Sequence, residues 1–379
     1  MTQVLSADSI FDGQSFLTGH AIVMEGARIA AILPIAEAGP ADIHQDGIIA
    51  PGFLDLQVNG GGGRMVDGQT DLATLRHICA THRGLGCAGV LPTLITDTPE
   101  ATAQVIAAGI AAAEDETPGF LGLHLEGPHL DPRRKGAHDP ALIRPMDDAD
   151  LHRLCDAAQA LPVLMVTLAP EAVTPQQIAA LSGAGAVVSL GHSDCSYEAA
   201  QAAFAAGARA ATHLFNAMSQ MGHRSPGLAG AVLAGDAPHA GLIADGIHVH
   251  PAAMKAALAA RTEGIFLVTD CMAFAGSDAT EMRLNDRLIR RENGRLTLAD
   301  GTLAGADLRM DRAISVVVED VGTDPARALA MATSEPARAI GLDGLGRLKP
   351  GLSPVPVLLD HRFSLRGIWS GEGWQSPLA

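Results

Sequence analysis

The 379-residue sequence predicts an α/β chain, a closed (β/α)8 barrel of the TIM type beside a small β-sandwich domain formed by the N- and C-terminal segments. Three observations predict it. Eight short apolar runs alternate with alanine-rich stretches, and such alternation means parallel strands with helices packed outside, because a parallel connection needs a crossover. The runs are apolar throughout rather than at every second residue, as suits strands covered on both faces. Both ends of the chain read as short strands and turns, and chain termini commonly lie close together.

Taken in order, residues 21–25 and 28–33 flank Gly26-Ala27, a two-residue hairpin signal. The eight runs follow at 49–58, 89–94, 120–125, 163–168, 186–190, 208–213, 240–244 and 265–269. Helices are predicted between most of them, at 72–80, 101–113, 149–161, 175–180, 198–206 and 251–260. Near the end, 355–359 is apolar and β-branched, and 364–369 precedes a Ser-Gly-Glu-Gly turn. The division that follows is a small β-domain of residues 1–50 and 345–379 around a barrel of residues 51–344. An open doubly wound sheet would give the same local alternation, but eight runs suggest closure.

Composition narrows the function classes. Hydrophobic residues make up 47% of the chain, enough for a large core, which excludes global disorder. With 42 acidic against 26 basic side chains, the net charge of −16 argues against nucleic acid or an anionic membrane as partner. No apolar run approaches the roughly 18 residues of a spanning helix, and the opening MTQVLSADSI shows no signal-peptide pattern. Five scattered cysteines without a C-x-x-C pair suit a reducing cytoplasm and packing roles. Fifteen histidines, in a chain short of other charged groups, are left to explain.

Their positions are informative. Run after run ends in a polar cluster: Gln57-Val58-Asn59, His124-Leu125-Glu126-Gly127-Pro128, Gly191-His192-Ser193, Thr212-His213, Asp245-Gly246-Ile247-His248 and Thr269-Asp270. In a barrel all strand C-termini open onto one mouth, where active sites sit. Glu126, His192 and His213 make a candidate metal set, because a catalytic zinc takes imidazole and carboxylate as three protein ligands and keeps one position open. A single strand-end histidine is more often an ordinary hydrogen-bonded residue, and it is the coincidence of several that favours a metal. Asp270 is placed to move a proton, or to serve as a helix cap or loop residue. His138 lies in a Lys135–Pro140 loop that could fold over the mouth and polarise a carbonyl, or stay exposed. Arg224 and His248 are candidate anion binders, although an isolated arginine is usually a solvated surface group. The four glycines 60–63 match neither phosphate-loop pattern and read as a flexible connection to the next helix.

These motifs, with Pro51-Gly52-Phe53-Leu54-Asp55, the segment from Thr212 to Met218 and Pro226-Gly227-Leu228-Ala229-Gly230, resemble N-acetylglucosamine-6-phosphate deacetylases of the amidohydrolase superfamily from about residue 46 to 360. The resemblance implies the barrel and terminal β-domain already read. It also implies Glu126, His192 and His213 as metal ligands, Asp270 as general acid and base, and His138 as the contact to the sugar and acetyl carbonyl. Ala137, Asn216, Ala217, His248, Leu303, Ala304 and Gly305 match substrate positions, and Arg224 the arginine that reaches the phosphate from the neighbouring subunit of a homodimer. Many amidohydrolases carry H-x-H on the first strand to hold a second metal; here Gln57 and Asn59 stand instead. One divalent ion is therefore expected, zinc first, with iron, manganese or cobalt accepted by the same ligands. The activity implied is removal of the acetyl group from N-acetyl-D-glucosamine 6-phosphate. The alternatives are another acetylated hexosamine phosphate, an N-acyl amino acid, or a catalytically silent sugar-phosphate sensor. The segment 351–357 lacks the acid of the superfamily's Gly-x-x-Ala-Asp-x-Val pattern, a departure outside the site.

Overall fold

The computed structural model describes residues 2–235, 238–284 and 287–378; Met1 and Ala379, the outermost residues of the predicted terminal segments, lie outside them. The eight runs form one parallel sheet, ordered as in the sequence: Phe53–Val58, Cys87–Ile95, Leu123–Glu126, Leu164–Leu168, Val187–Leu190, Ala210–Ala211, His239–Leu242 and Ile265–Leu267. Its edges meet. Val58 bridges Cys271, the Asp270 N–H donates to Gln57 O at 3.1 Å, and the Asn59 N–H donates to Cys271 O at 2.9 Å. Phe53–Val58 and Leu164–Leu168 are buried along their whole length, as a sheet with side chains inside and helices outside requires.

Helices Leu72–Gly84, Pro99–Glu114, Asp148–Ala160, Pro175–Gly183, Tyr197–Ala205 and Pro251–Ala260 stand at the predicted stretches, with ends at most a few residues away. Alanine favours them locally, and their starts are fixed by side chains that accept otherwise unpaired N–H groups. Thr98 accepts from Ala101 with Pro99 at the first turn, while Asp147 with Asp150 and Thr174 with Gln177 form reciprocal capping boxes.

A second sheet joins the chain ends, in the order Trp374–Gln375, Leu365–Trp369, Pro356–Leu359, Ile43–Pro51, Thr2–Phe11, His20–Glu25, Arg28–Pro34, with Phe16–Leu17 paired to Thr2–Phe11. It has its own core, including Leu5, Ile10, Ile22, Met24, Ile49 and Trp369. The predicted hairpin is present, with Glu25 opposite Arg28. The run 49–58 is two strands rather than one. Residues up to Pro51 pair with Pro356–Leu359, and the barrel strand starts at Phe53. Gly52 makes the crossing: a Cβ there would lie 2.7 Å from Val355 O and 2.9 Å from the Ala88 Cβ.

The predicted elements have no counterpart for an antiparallel insert after the last barrel strand, Glu281–Leu284, Arg287–Glu292, Arg295–Thr297 and Leu303–Ala306. Its central turn is Asn293-Gly294, both at positive φ, the conformation a two-residue type I′ hairpin needs. Helices Met310–Glu319, Pro325–Met331 and Ser334–Ala339 then lead back to the terminal sheet.

Asp55 helps to join the first barrel strand to the last. Its carboxyl accepts from Thr269 Oγ1 at 2.5 Å and from the N–H groups of Thr269 and Gln57, both at 3.2 Å. Burial raises its pKa from 3.8 to about 7, outweighing the hydrogen bonds that lower it. A raised pKa means that the folded chain holds this proton more tightly than the unfolded one. The associated stability is complete below pH 3.8 and lost as pH rises through about 7. Asp55→Asn keeps the shape without the titration, so its melting temperature should fall less than the parent's between pH 4 and 7. Parallel melting curves for the two proteins, in one metal-loaded state, would refute this.

Candidate metal centre and active site

Glu126 ends the strand Leu123–Glu126, His192 and His213 lie two residues beyond Val187–Leu190 and Ala210–Ala211, and Asp270 lies three beyond Ile265–Leu267. The chain turns sharply there: His192, His213 and Asp270 all have positive φ, at 48°, 32° and 49°. That conformation is uncommon for residues other than glycine and concentrates at functional sites. Here it turns each side chain back over the barrel mouth, where all four line one cavity of about 250 Å³.

Glu126 Oε1 lies 3.2 Å from His192 Nε2 and 3.0 Å from His213 Nε2, and the two nitrogens are 3.1 Å apart. All three side chains are buried. His192 Nδ1–H donates to Arg134 O at 2.8 Å, which leaves a lone pair on Nε2 facing the carboxylate. Facing lone pairs repel unless a proton or a cation lies between them. Burial would raise the Glu126 carboxyl, yet the two imidazoles hold it well below the usual carboxylate range; His213 is raised in return by Glu126, against the effect of its own burial. A divalent cation can take the place of the shared proton, and two imidazoles with one carboxylate suit such an ion.

Gln57 and Asn59 present amide N–H groups at the same level. Gln57 Nε2 donates to Glu126 Oε1 at 3.2 Å and Asn59 Nδ2 to Asp270 Oδ1 at 2.7 Å. Burial, and then the Glu126 charge, raise the Asp270 carboxyl to about 6.

His138 does fold over the mouth rather than stay exposed. Its Nδ1 accepts from the Thr96 N–H at 3.3 Å and lies 2.7 Å from Thr96 Oγ1, so the ring proton sits on Nε2, which faces Glu126 Oε2 across 3.9 Å. Burial, and then the neighbouring His192, lower its pKa to about 3. The ring is therefore a neutral N–H donor at pH 7. Ala137, Asn216, Ala217 and His248 line the cavity too. Asp245 holds His248 at Nδ1, 2.6 Å away. Leu303, Ala304 and Gly305 reach the cavity from the insert, and Arg287 of that insert donates to Ala137 O at 2.6 Å. Gly305 has φ +63°, and a Cβ there would lie 2.7 Å from Asp270 O. Arg224 stands apart, exposed on the turn before helix Gly227–Ala234 and outside the cavity of its own chain. The glycine run, read as a flexible link, is a small hairpin of Gly60–Gly61 against Arg64–Met65, whose carbonyls at Gly60 and Gly62 bond His82 and His77.

The amidohydrolase family pattern matches residues 48–365, most of the chain. The chain belongs to the amidohydrolase family. This amidohydrolase is 41% identical over 329 residues to the N-acetylgalactosamine-6-phosphate deacetylase of Shewanella sp. (strain ANA-3), spanning 86% of its own length and 83% of the relative's. It is 35% identical to the N-acetylglucosamine-6-phosphate deacetylase of Haemophilus influenzae, over 97% of both chains. The crystal structure of N-acetylglucosamine-6-phosphate deacetylase from Pasteurella multocida superposes with a TM-score of 0.93 at 32% identity, covering 99% of this amidohydrolase and 100% of that chain.

Sequence reasoning missed the donors around the site. Gln57 and Asn59 were legible only as poor metal ligands, and Thr96 and Arg287 carried no signal, because their partners lie 42 and 150 residues away in the chain. No helix among the described residues is long and apolar enough to cross a membrane, and the five cysteines there are free.

Proposed function

We propose that this amidohydrolase hydrolyses the acetamide of N-acetyl-D-glucosamine 6-phosphate, releasing acetate and glucosamine 6-phosphate. The observation that carries the reading is the convergence of Glu126, His192, His213, Asp270 and a neutral His138 on one cavity, in a chain similar along its length to deacetylases of acetylated hexosamine phosphates. Glu126, His192 and His213 would hold one divalent ion, most simply zinc, whose charge makes water more acidic and steadies negative charge on the amide oxygen.

The chain's own groups do the rest. His138 donates its Nε2–H to the acetyl oxygen and so favours the carbonyl's developing negative charge. Asp270, ionised above its pKa, takes a proton from the attacking water. It then returns that proton to the nitrogen as the C–N bond breaks, so that amine and acetate leave. Asn216, Ala217 and the segment from Leu303 to Gly305 shape the sugar pocket, and His248, oriented by Asp245, presents Nε2 to the substrate.

Arg224 would reach the phosphate of a neighbouring subunit in a homodimer. Its exposure beside Met221, itself 59% exposed, supports that placement. The free cysteines support a cytoplasmic setting.

A second reading, the galactosamine epimer, is favoured by the 41% identity to the Shewanella enzyme. Acetate release across N-acetylhexosamines with and without the 6-phosphate tests both. Turnover should depend on the phosphate, with kcat/KM at least about tenfold lower without it, a loss of ~1.4 kcal/mol of transition-state binding. Arg224→Ala should raise KM for the phosphorylated sugars. Equal rates on phosphorylated and free sugars would end the proposal, and the preferred epimer chooses between its two forms.

A further inference from the structure

Asn59 lies at the mouth without a part in the hydrolysis described above. We infer that it is a positioning residue for the Asp270 carboxylate. The inference rests on the proposed hydrolysis only in giving Asp270 a proton to move.

Both main chains are fixed before the side chains meet. The Asn59 N–H donates to Cys271 O and its carbonyl accepts from Val66 N, each at 2.9 Å. The Asp270 N–H donates to Gln57 O at 3.1 Å and its carbonyl accepts from Ala306 N at 2.9 Å. What remains free is rotation of the Asp270 side chain. Asn59 Nδ2 donates to Oδ1 at 2.7 Å, the one side-chain hydrogen bond to that carboxylate among the described residues. With Oδ1 held, Oδ2 is the oxygen left to carry a proton.

The other half of the Asn59 amide is unusual. The residue is 3% exposed, and its Oδ1 is buried with no hydrogen-bond partner among the described residues. Of the two polar ends of this amide, the protein uses the N–H, and uses it on Asp270. Rules of local satisfaction break most often at functional sites.

The test compares wild type with Asn59→Leu and with the isosteric Asn59→Asp, each loaded with zinc. Misplacing a reacting group by about 1 Å can cost about 10²-fold, so kcat in both variants should fall by that order, with KM within about twofold of wild type. Bound zinc should be unchanged in Asn59→Leu. Crystal structures of the loaded proteins should show the Asp270 carboxylate rotated from its wild-type position. A kcat within twofold of wild type, or an Asp270 carboxylate that stays in place, overturns the inference. Should Asn59→Leu not fold, Asn59→Asp decides alone. If wild type releases acetate from none of the sugar phosphates, the proposed function fails, and the position of the Asp270 carboxylate still decides the role of Asn59.

Discussion

Asp270→Asn should lower kcat for acetate release by about 10²–10⁴-fold, the range general acid–base groups supply, while the protein keeps its fold and its metal. Asparagine is the informative replacement. Residue 270 has φ +49°, a conformation that Asn and Asp tolerate better than other side chains, so the turn survives. The amide oxygen can still accept from Asn59, and the ligand triangle of Glu126, His192 and His213 is untouched. What disappears is a group able to take a proton and give it back. The same carboxyl sets the pH dependence. Burial and the Glu126 charge hold it near 6, and the base works only when ionised, so kcat/KM should fall as pH drops through that value. A bound cation favours the ionised form, which places the acidic limb at or below about 6. The limb should vanish in Asp270→Asn. Activity within a few-fold of wild type, or an unchanged acidic limb, would remove Asp270 from the proton path.

How much of this was legible in the sequence depends on the distance over which each feature is determined. The strand ends were legible because a strand buried on both faces must be apolar until it emerges, so a polar residue after such a run marks the mouth. That reasoning located Glu126, His192, His213 and Asp270 together. It failed at 49–58, where one continuous apolar run serves two sheets and only the crowding around Gly52 divides it. It missed the insert, whose strand Arg287–Glu292 is mostly charged and belongs to neither period of a buried element, although Asn293-Gly294 was a readable hairpin signal. Hydrogen-bond partners were the least legible. Gln57 meets Glu126 across 69 positions and Asn59 meets Asp270 across 211, separations that barrel closure produces and no local spacing announces.

Removing the metal should abolish turnover, and one equivalent of zinc per chain should restore it. The prediction of one ion follows from what the first barrel strand offers. A second site needs lone pairs where Gln57 and Asn59 stand, but both amides direct N–H groups at Glu126 and Asp270 and so compete with a cation for the same oxygens. Loss of the ion should also destabilise the fold, since a ligand at a hundredfold excess over its Kd contributes about 2.7 kcal/mol; a lower melting temperature after chelation reads this. The effect should depend on pH with a definite sign. Without the ion, Glu126 raises His213 above its ordinary value, so metal and proton compete for that imidazole. Metal affinity should therefore weaken as pH falls, and Glu126→Gln, which removes the charge opposite both histidines, should bind zinc far more weakly at every pH. Two tightly bound ions per chain by elemental analysis would contradict the donor geometry of Gln57 and Asn59. Full activity in the chelated protein would remove the metal from the reaction.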